Sequence, residues 1–137
     1  MASQAVISGA LFAVLFALLS LGWADLVGGW SAADKNSEVV KEIAEFSVSQ
    51  YNLQSNYNFV YTMISLEDAR EQVVSGMNYK LTLVLGNTAC KKSEDYINKH
   101  CPLLTGSKLK KLKCVFSVYD IPWQNKRTLT GKRCTKI

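Results

Sequence analysis

Four cysteines, Cys90, Cys101, Cys114 and Cys134, all follow an N-terminal stretch, Ala2 to Ala24, that carries no charged residue. The combination limits the fold more than any other feature. Residues 10–21 are almost wholly apolar, and Gly22-Trp23-Ala24 puts small residues at the two positions that signal peptidase reads. Residues 1–24 are therefore expected to be a secretory signal peptide, and residues 25–137 one domain. No Lys or Arg precedes the apolar run, so only the terminal amine supplies its positive end. A membrane anchor is the rival reading; the cleavage signature favours removal and a secreted, extracellular product. An even cysteine count in a small secreted domain reads as disulfides, with three pairings open. Pairing in sequence order would close two short loops, each worth about 3 kcal/mol in the chain-entropy model. Zinc is set aside because no two cysteines have knuckle spacing and only His100 could assist.

The uncharged leader leaves the net charge of +5 to the remaining domain. A charge of that size aids solubility and favours anionic surfaces without specifying a fold. Residues 25–33 read as extended. A helix follows, with Asp34, Asn36 and Ser37 as candidate N-caps. Val39, Val40, Ile43, Ala44, Phe46 and Tyr51 form its apolar face, and Lys41, Glu42, Glu45 and Ser49 lie opposite. Asparagines in 52–58 end the pattern. From there the chain reads as strands: 59–66, rich in β-branched and aromatic residues; one in which Tyr79, Leu81, Leu83 and Leu85 alternate with Lys80, Thr82 and Val84; 115–121; and a charged edge strand within 126–135. Residues 90–113 read as a polar, lysine-rich loop. One helix followed by antiparallel strands is an α+β fold, with the helix across one face of the sheet.

No catalytic constellation is present. His100 is the only histidine, its neighbour Cys101 is expected to be bonded, and no glycine loop of phosphate-binding type occurs. Glu67, Asp68 and Glu71, interleaved with Arg70, suit a solvated strand edge. The chain is expected not to be an enzyme and to need no cofactor, metal or nucleic acid.

Three short features stand out: Leu26-Val27-Gly28-Gly29 near the expected mature N-terminus, Gln72-Val73-Val74-Ser75-Gly76 ahead of the strand at Tyr79, and Pro122-Trp123 after the strand ending at Ile121. In this order, with Gln50-Tyr51-Asn52 at the helix end and cysteines such as Cys90 and Cys114 after the second feature, the chain resembles the type 2, secreted, two-disulfide cystatins. The resemblance spans the whole of residues 25–137. It implies the cystatin fold, one long helix packed across an antiparallel sheet of about five strands, with disulfides Cys90–Cys101 and Cys114–Cys134. It also implies reversible inhibition of papain-like cysteine proteases of the cathepsin type. Leu26, Val27 and Gly28 would enter the unprimed side of the cleft. Gln72, Val73, Val74, Ser75 and Gly76 would form a first hairpin loop, and Pro122 and Trp123 a second. Several members of the family also inhibit legumain, an asparagine-specific protease, through a Ser-Asn motif after the helix; Ser55-Asn56 stands at the matching place, followed by Tyr57.

A monomer is expected, with a domain-swapped dimer as the alternative assembly, because the fold joins its helix and strands through the first loop. No stable membrane insertion is expected after cleavage, and no Asn-x-Ser/Thr site occurs. The alternative function is cationic host defence, resting on Lys108, Lys110, Lys111 and Lys113 with Leu109 and Leu112 between them.

Overall fold

The computed structural model describes residues 29–137. The expected signal peptide and the arm residues Leu26, Val27 and Gly28 lie outside them. In chain order the elements are β1 (Ser31–Ala32), α1 (Glu38–Gln54), β2 (Phe59–Val74), β3 (Gly76–Lys91), β4 (Lys111–Ile121) and β5 (Lys126–Lys136). The five strands pair in sequence order, every neighbour antiparallel. The α+β expectation therefore holds, with α1 against one face of the sheet.

The helix starts where its sequence offers a cap. Among the three candidates Ser37 takes the role: its hydroxyl accepts from the Val40 amide at 3.2 Å, and Glu38 places negative charge in the first turn. Val40, Ile43, Ala44, Ser47 and Tyr51 repeat every three or four residues and are buried. Val39, expected on the same face, is exposed, since it lies one residue off that stripe. The buried Ser47 hydroxyl is satisfied within the helix, donating to the Ile43 carbonyl at 2.8 Å. The face packs on Leu81, Leu83 and Leu85 of β3 and on Cys114, Phe116 and Val118 of β4. The β3 alternation read from the sequence is the core, and only Val84 of the opposite set is buried as well.

Two segments differ from expectation. The strand expected over 59–66 continues to Val74, through Glu67, Asp68, Arg70 and Glu71. Register shifts between Phe59 and Tyr61, Met63 and Ser65, and Leu66 and Asp68 break its period-two pattern. The loop expected over 90–113 is shorter, because β3 runs to Lys91 and β4 begins at Lys111. It is also pinned to the sheet. Thr88, fully buried, donates to the Val60 carbonyl at 2.7 Å and pairs with Leu103, while Asn87 holds the Lys108 carbonyl and the Lys110 amide. The disulfides are Cys90–Cys101, which closes this loop, and Cys114–Cys134, which ties β4 to β5. Leu112 is a core residue, so residues 108–113 do not form one basic-apolar surface for inserting into a membrane.

One polar side chain joins helix to sheet. Asn52 is buried; its amide group donates to the Tyr61 carbonyl and accepts from the Tyr61 amide, both at 2.9 Å. Nearby, burial pushes the Tyr51 phenol up to about 12, with Tyr61 and Tyr57 adding to the rise. Asn52→Ala strands both backbone groups of Tyr61 away from water, at about 1–3 kcal/mol for each unsatisfied group. Urea unfolding should show a loss of about 2–4 kcal/mol with an unchanged m-value.

Candidate functional site

The β2–β3 hairpin turns within three residues: Val74 pairs with Gly76 and Ser75 occupies the tip. The turn depends on Gly76, whose φ is +104°, a region that L side chains rarely adopt. Space forbids a side chain there as well. A Cβ on Gly76 would lie 2.7 Å from the Asp120 carbonyl oxygen and 3.3 Å from the Tyr119 ring. The missing side chain thus lets the first turn sit directly against the end of β4. Tyr119 adds a clamp, its phenol donating to the Ser75 carbonyl across β3. Gln72 and Asn78 face each other across the hairpin, and the Asn78 amide donates to Gln72 Oε1 at 3.2 Å.

The β4–β5 turn is built differently. Residues Pro122–Gln124 form one 3-10 turn, closed by the Asn125 amide on the Pro122 carbonyl at 3.1 Å. Proline suits the first position because no amide hydrogen is needed there. Asn125 takes the left-handed conformation, φ 50°, which asparagine tolerates better than most residues. Below the turn Asp120 is buried, and Arg127 Nε lies 3.0 Å from its carboxylate. Arg127 also stands 3.8 Å from Glu42 and over the Phe46 ring, so the second hairpin is anchored to α1.

The register of β3 against β4 brings the two turns abreast. Met77 pairs with Asp120, which leaves Gly76 and Ile121 as the next residues at that end of the sheet. Of the side chains singled out in the sequence, Val73 is 66% exposed and Trp123 is 67% exposed. Ser75 and Pro122 are also exposed, Gln72 and Val74 are half-buried, and Gly76 is buried. The four exposed side chains carry no charge. β1 begins at the same end, with Ser31 opposite Glu71. Asn56 is not part of this cluster. It lies exposed between α1 and β2, at the opposite end of the sheet. Among the described residues no group of three or more His, Cys, Asp and Glu side chains could hold a metal ion.

Sequence reasoning did not find Tyr119, Asp120 or Arg127, the residues that hold the turns in place. One signal was available: Asp120 is the only acidic residue in 99–137, and a lone acid in a basic strand calls for a partner.

The chain matches the model of the Cystatin domain family over residues 28–123. It is 42% identical to cystatin-C of Bos taurus over 110 residues, covering 80% of this chain and 74% of that protein. Against cystatin-C of Rattus norvegicus the identity is 35% over 129 residues, with 88% and 91% covered. Among solved structures, dimeric human cystatin F superposes with a TM-score of 0.73 at 26% identity, covering 80% of this chain and 88% of that one. Al-CPI superposes at 0.72 with 29% identity, covering 80% and 100%.

The geometry at Gly76 sets an expected outcome. Gly76→Ala should lower stability by about 2 kcal/mol or more, from backbone strain and overlap with the Asp120 carbonyl. Gly131→Ala is the control. Its Cβ would meet Ser117 at an ordinary 3.5 Å, so its effect should stay within about 1 kcal/mol in the same urea titration.

Proposed function

This chain belongs to the cystatin family, inhibitors of cysteine proteases rather than enzymes, and we propose that it is a secreted, extracellular inhibitor whose two hairpin turns and N-terminal arm enter the cleft of papain-like proteases. The observation that supports this reading is the pair of turns lying abreast, with Val73 and Trp123 exposed and uncharged at their tips. A cleft that binds extended peptides is narrow and largely apolar. A thin sheet edge ending in small and β-branched residues fits it. Trp123 would cover an apolar surface on the primed side, where a large exposed indole is a strong anchor. The 3-10 turn, the Asp120–Arg127 pair and the Tyr119 clamp hold the tips before binding, so little conformational entropy is lost on association.

Leu26 and Val27 would fill the unprimed subsites as substrate side chains do. Gly28, lacking Cβ, would let the backbone pass the catalytic cysteine and turn away without offering a peptide bond in reacting geometry. The inhibitory form in this proposal is the monomer. Exchange of α1 and β2 between two copies would straighten the Ser75–Gly76 turn and remove the first contact.

A second activity, against legumain, is favoured by one feature of the opposite end. Asn56 projects from a loop whose preceding residue is fixed: Lys92 Nζ donates to the Ser55 carbonyl at 3.0 Å and to its hydroxyl at 2.6 Å. An exposed asparagine next to a held backbone has the form of a substrate for an asparagine-specific protease.

Titration of papain and of legumain with residues 25–137 tests both parts. Papain should be inhibited reversibly at one-to-one stoichiometry. Trp123→Ala should weaken that inhibition about 30-fold, the loss typical of a central aromatic anchor. A chain starting at Gly29 should weaken most against proteases with deep apolar subsites. Asn56→Lys should abolish legumain inhibition and leave papain inhibition intact. Failure to inhibit papain, or inhibition indifferent to Trp123, would overturn the wedge. Inhibition of legumain by Asn56→Lys would overturn the second site alone.

A further inference from the structure

Charge is divided unevenly along the chain. Residues 99–137 hold ten of the 16 Lys and Arg residues but only one of the 11 Asp and Glu residues, Asp120. That single carboxylate is buried against Arg127. The fold gathers much of this charge at the sheet end opposite the two turns. Lys111 opens β4, and Lys132, Arg133 and Lys136 lie on the closing half of β5. Lys132 and Lys136 pair with the core residues Phe116 and Leu112 and so lie on the helix side, while Arg133 pairs with Val115 on the other side. Positive charge thus wraps around an exposed edge strand. Lys110 stands beside it. All five side chains are exposed, and none has a carboxylate within ion-pair distance among the described residues.

Protection of the edge explains part of this pattern, since lysines discourage unwanted strand pairing. It does not account for Lys110 and Lys111, which are not on the edge strand. A second feature points to a ligand. Lys110, Lys111 and Lys136 border a recess of about 250 Å³ whose wall includes Tyr57, Tyr61 and Ile137. Tyr57 is 42% exposed beside the cations, its ring held in an edge contact with Tyr61 at 5.4 Å between centroids.

We propose that this end of the sheet binds sulfated polysaccharide chains. The charge is complementary to a linear polyanion: Lys132 to Lys136 spans about 13 Å of extended strand, so cations meet successive sulfates along one chain. Arg133 offers a planar donor fork for a sulfate, and the lysines act as point charges. The Tyr57 ring provides a surface for a sugar ring. An anionic membrane fits less well, because the cations wrap an edge rather than lie on one plane with apolar residues to insert. A nucleic acid fits less well too, because Tyr57 is the one exposed ring lining the recess, which is little for stacking bases. A polysaccharide held here leaves Val73 and Trp123 uncovered at the other end.

The test uses heparin as the sulfated probe, with residues 25–137 and two triple variants that remove equal charge. One is K132Q/R133Q/K136Q. The other, K35Q/K41Q/K126Q, alters cations elsewhere. Thermal unfolding of each variant checks that the fold is kept. The chain should stay on immobilised heparin at about 0.15 M salt. The first variant should bind about tenfold more weakly or worse, and the second should change less than about threefold. Fully desulfated heparin should bind about tenfold more weakly than heparin. Equal losses in the two variants would overturn the site and leave only diffuse charge attraction. Tighter binding to duplex DNA or to phosphatidylserine vesicles than to heparin would overturn the assignment of the ligand.

Discussion

The register between β3 and β4 is the constraint on which the rest of the structure depends. Leu81, Leu83 and Leu85 face Phe116, Cys114 and Leu112 on the side covered by α1. A slip of one residue would turn the three buried residues of one strand toward water while the other three stay on the core side, so burial alone fixes the pairing. The same pairing carries Gly76 to the Asp120 carbonyl, a distance that no side chain could tolerate. Core packing at the middle of the sheet therefore decides where its two turns lie at the end. The Cys114–Cys134 bond extends this control to β5, and Asp120 with Arg127 extends it to the helix.

What could be read from the residues followed from periodicity. The strict alternation after Tyr79 identified the central strand and its buried face, and the three-and-four spacing after Ser37 identified the helix. Where periodicity failed, the reading stopped short. The strand pattern of β2 stops at Leu66 because three irregularities scramble its alternation and because its second half carries Glu67, Asp68, Arg70 and Glu71. Residues 90–113 read as free loop because the contacts that pin them come from polar residues within a strand, Thr88 pairing with Leu103 and Asn87 accepting from the Lys110 amide. The motif residues at the turns were visible by type. The residues that position them were not, since the Tyr119 clamp and the Asp120–Arg127 pair exist only once strands are side by side.

The two ends of the sheet differ electrostatically as well as geometrically. The turn tips Val73, Ser75, Pro122 and Trp123 are uncharged, so the proposed contact with a protease cleft would bury no ion. The charge sits elsewhere, with its positive excess on β4, β5 and the loop before them. A small patch of exposed apolar side chains on a charged body limits nonspecific association.

Hydrogen–deuterium exchange of the chain, free and saturated with papain, tests the central claim most directly. The account predicts slowed exchange at the amides of residues 72–78 and 121–127, with the amides of 108–111 and 132–137 unchanged. Protection confined to the opposite end of the sheet, or unchanged exchange at both turns in a saturated complex, would contradict it.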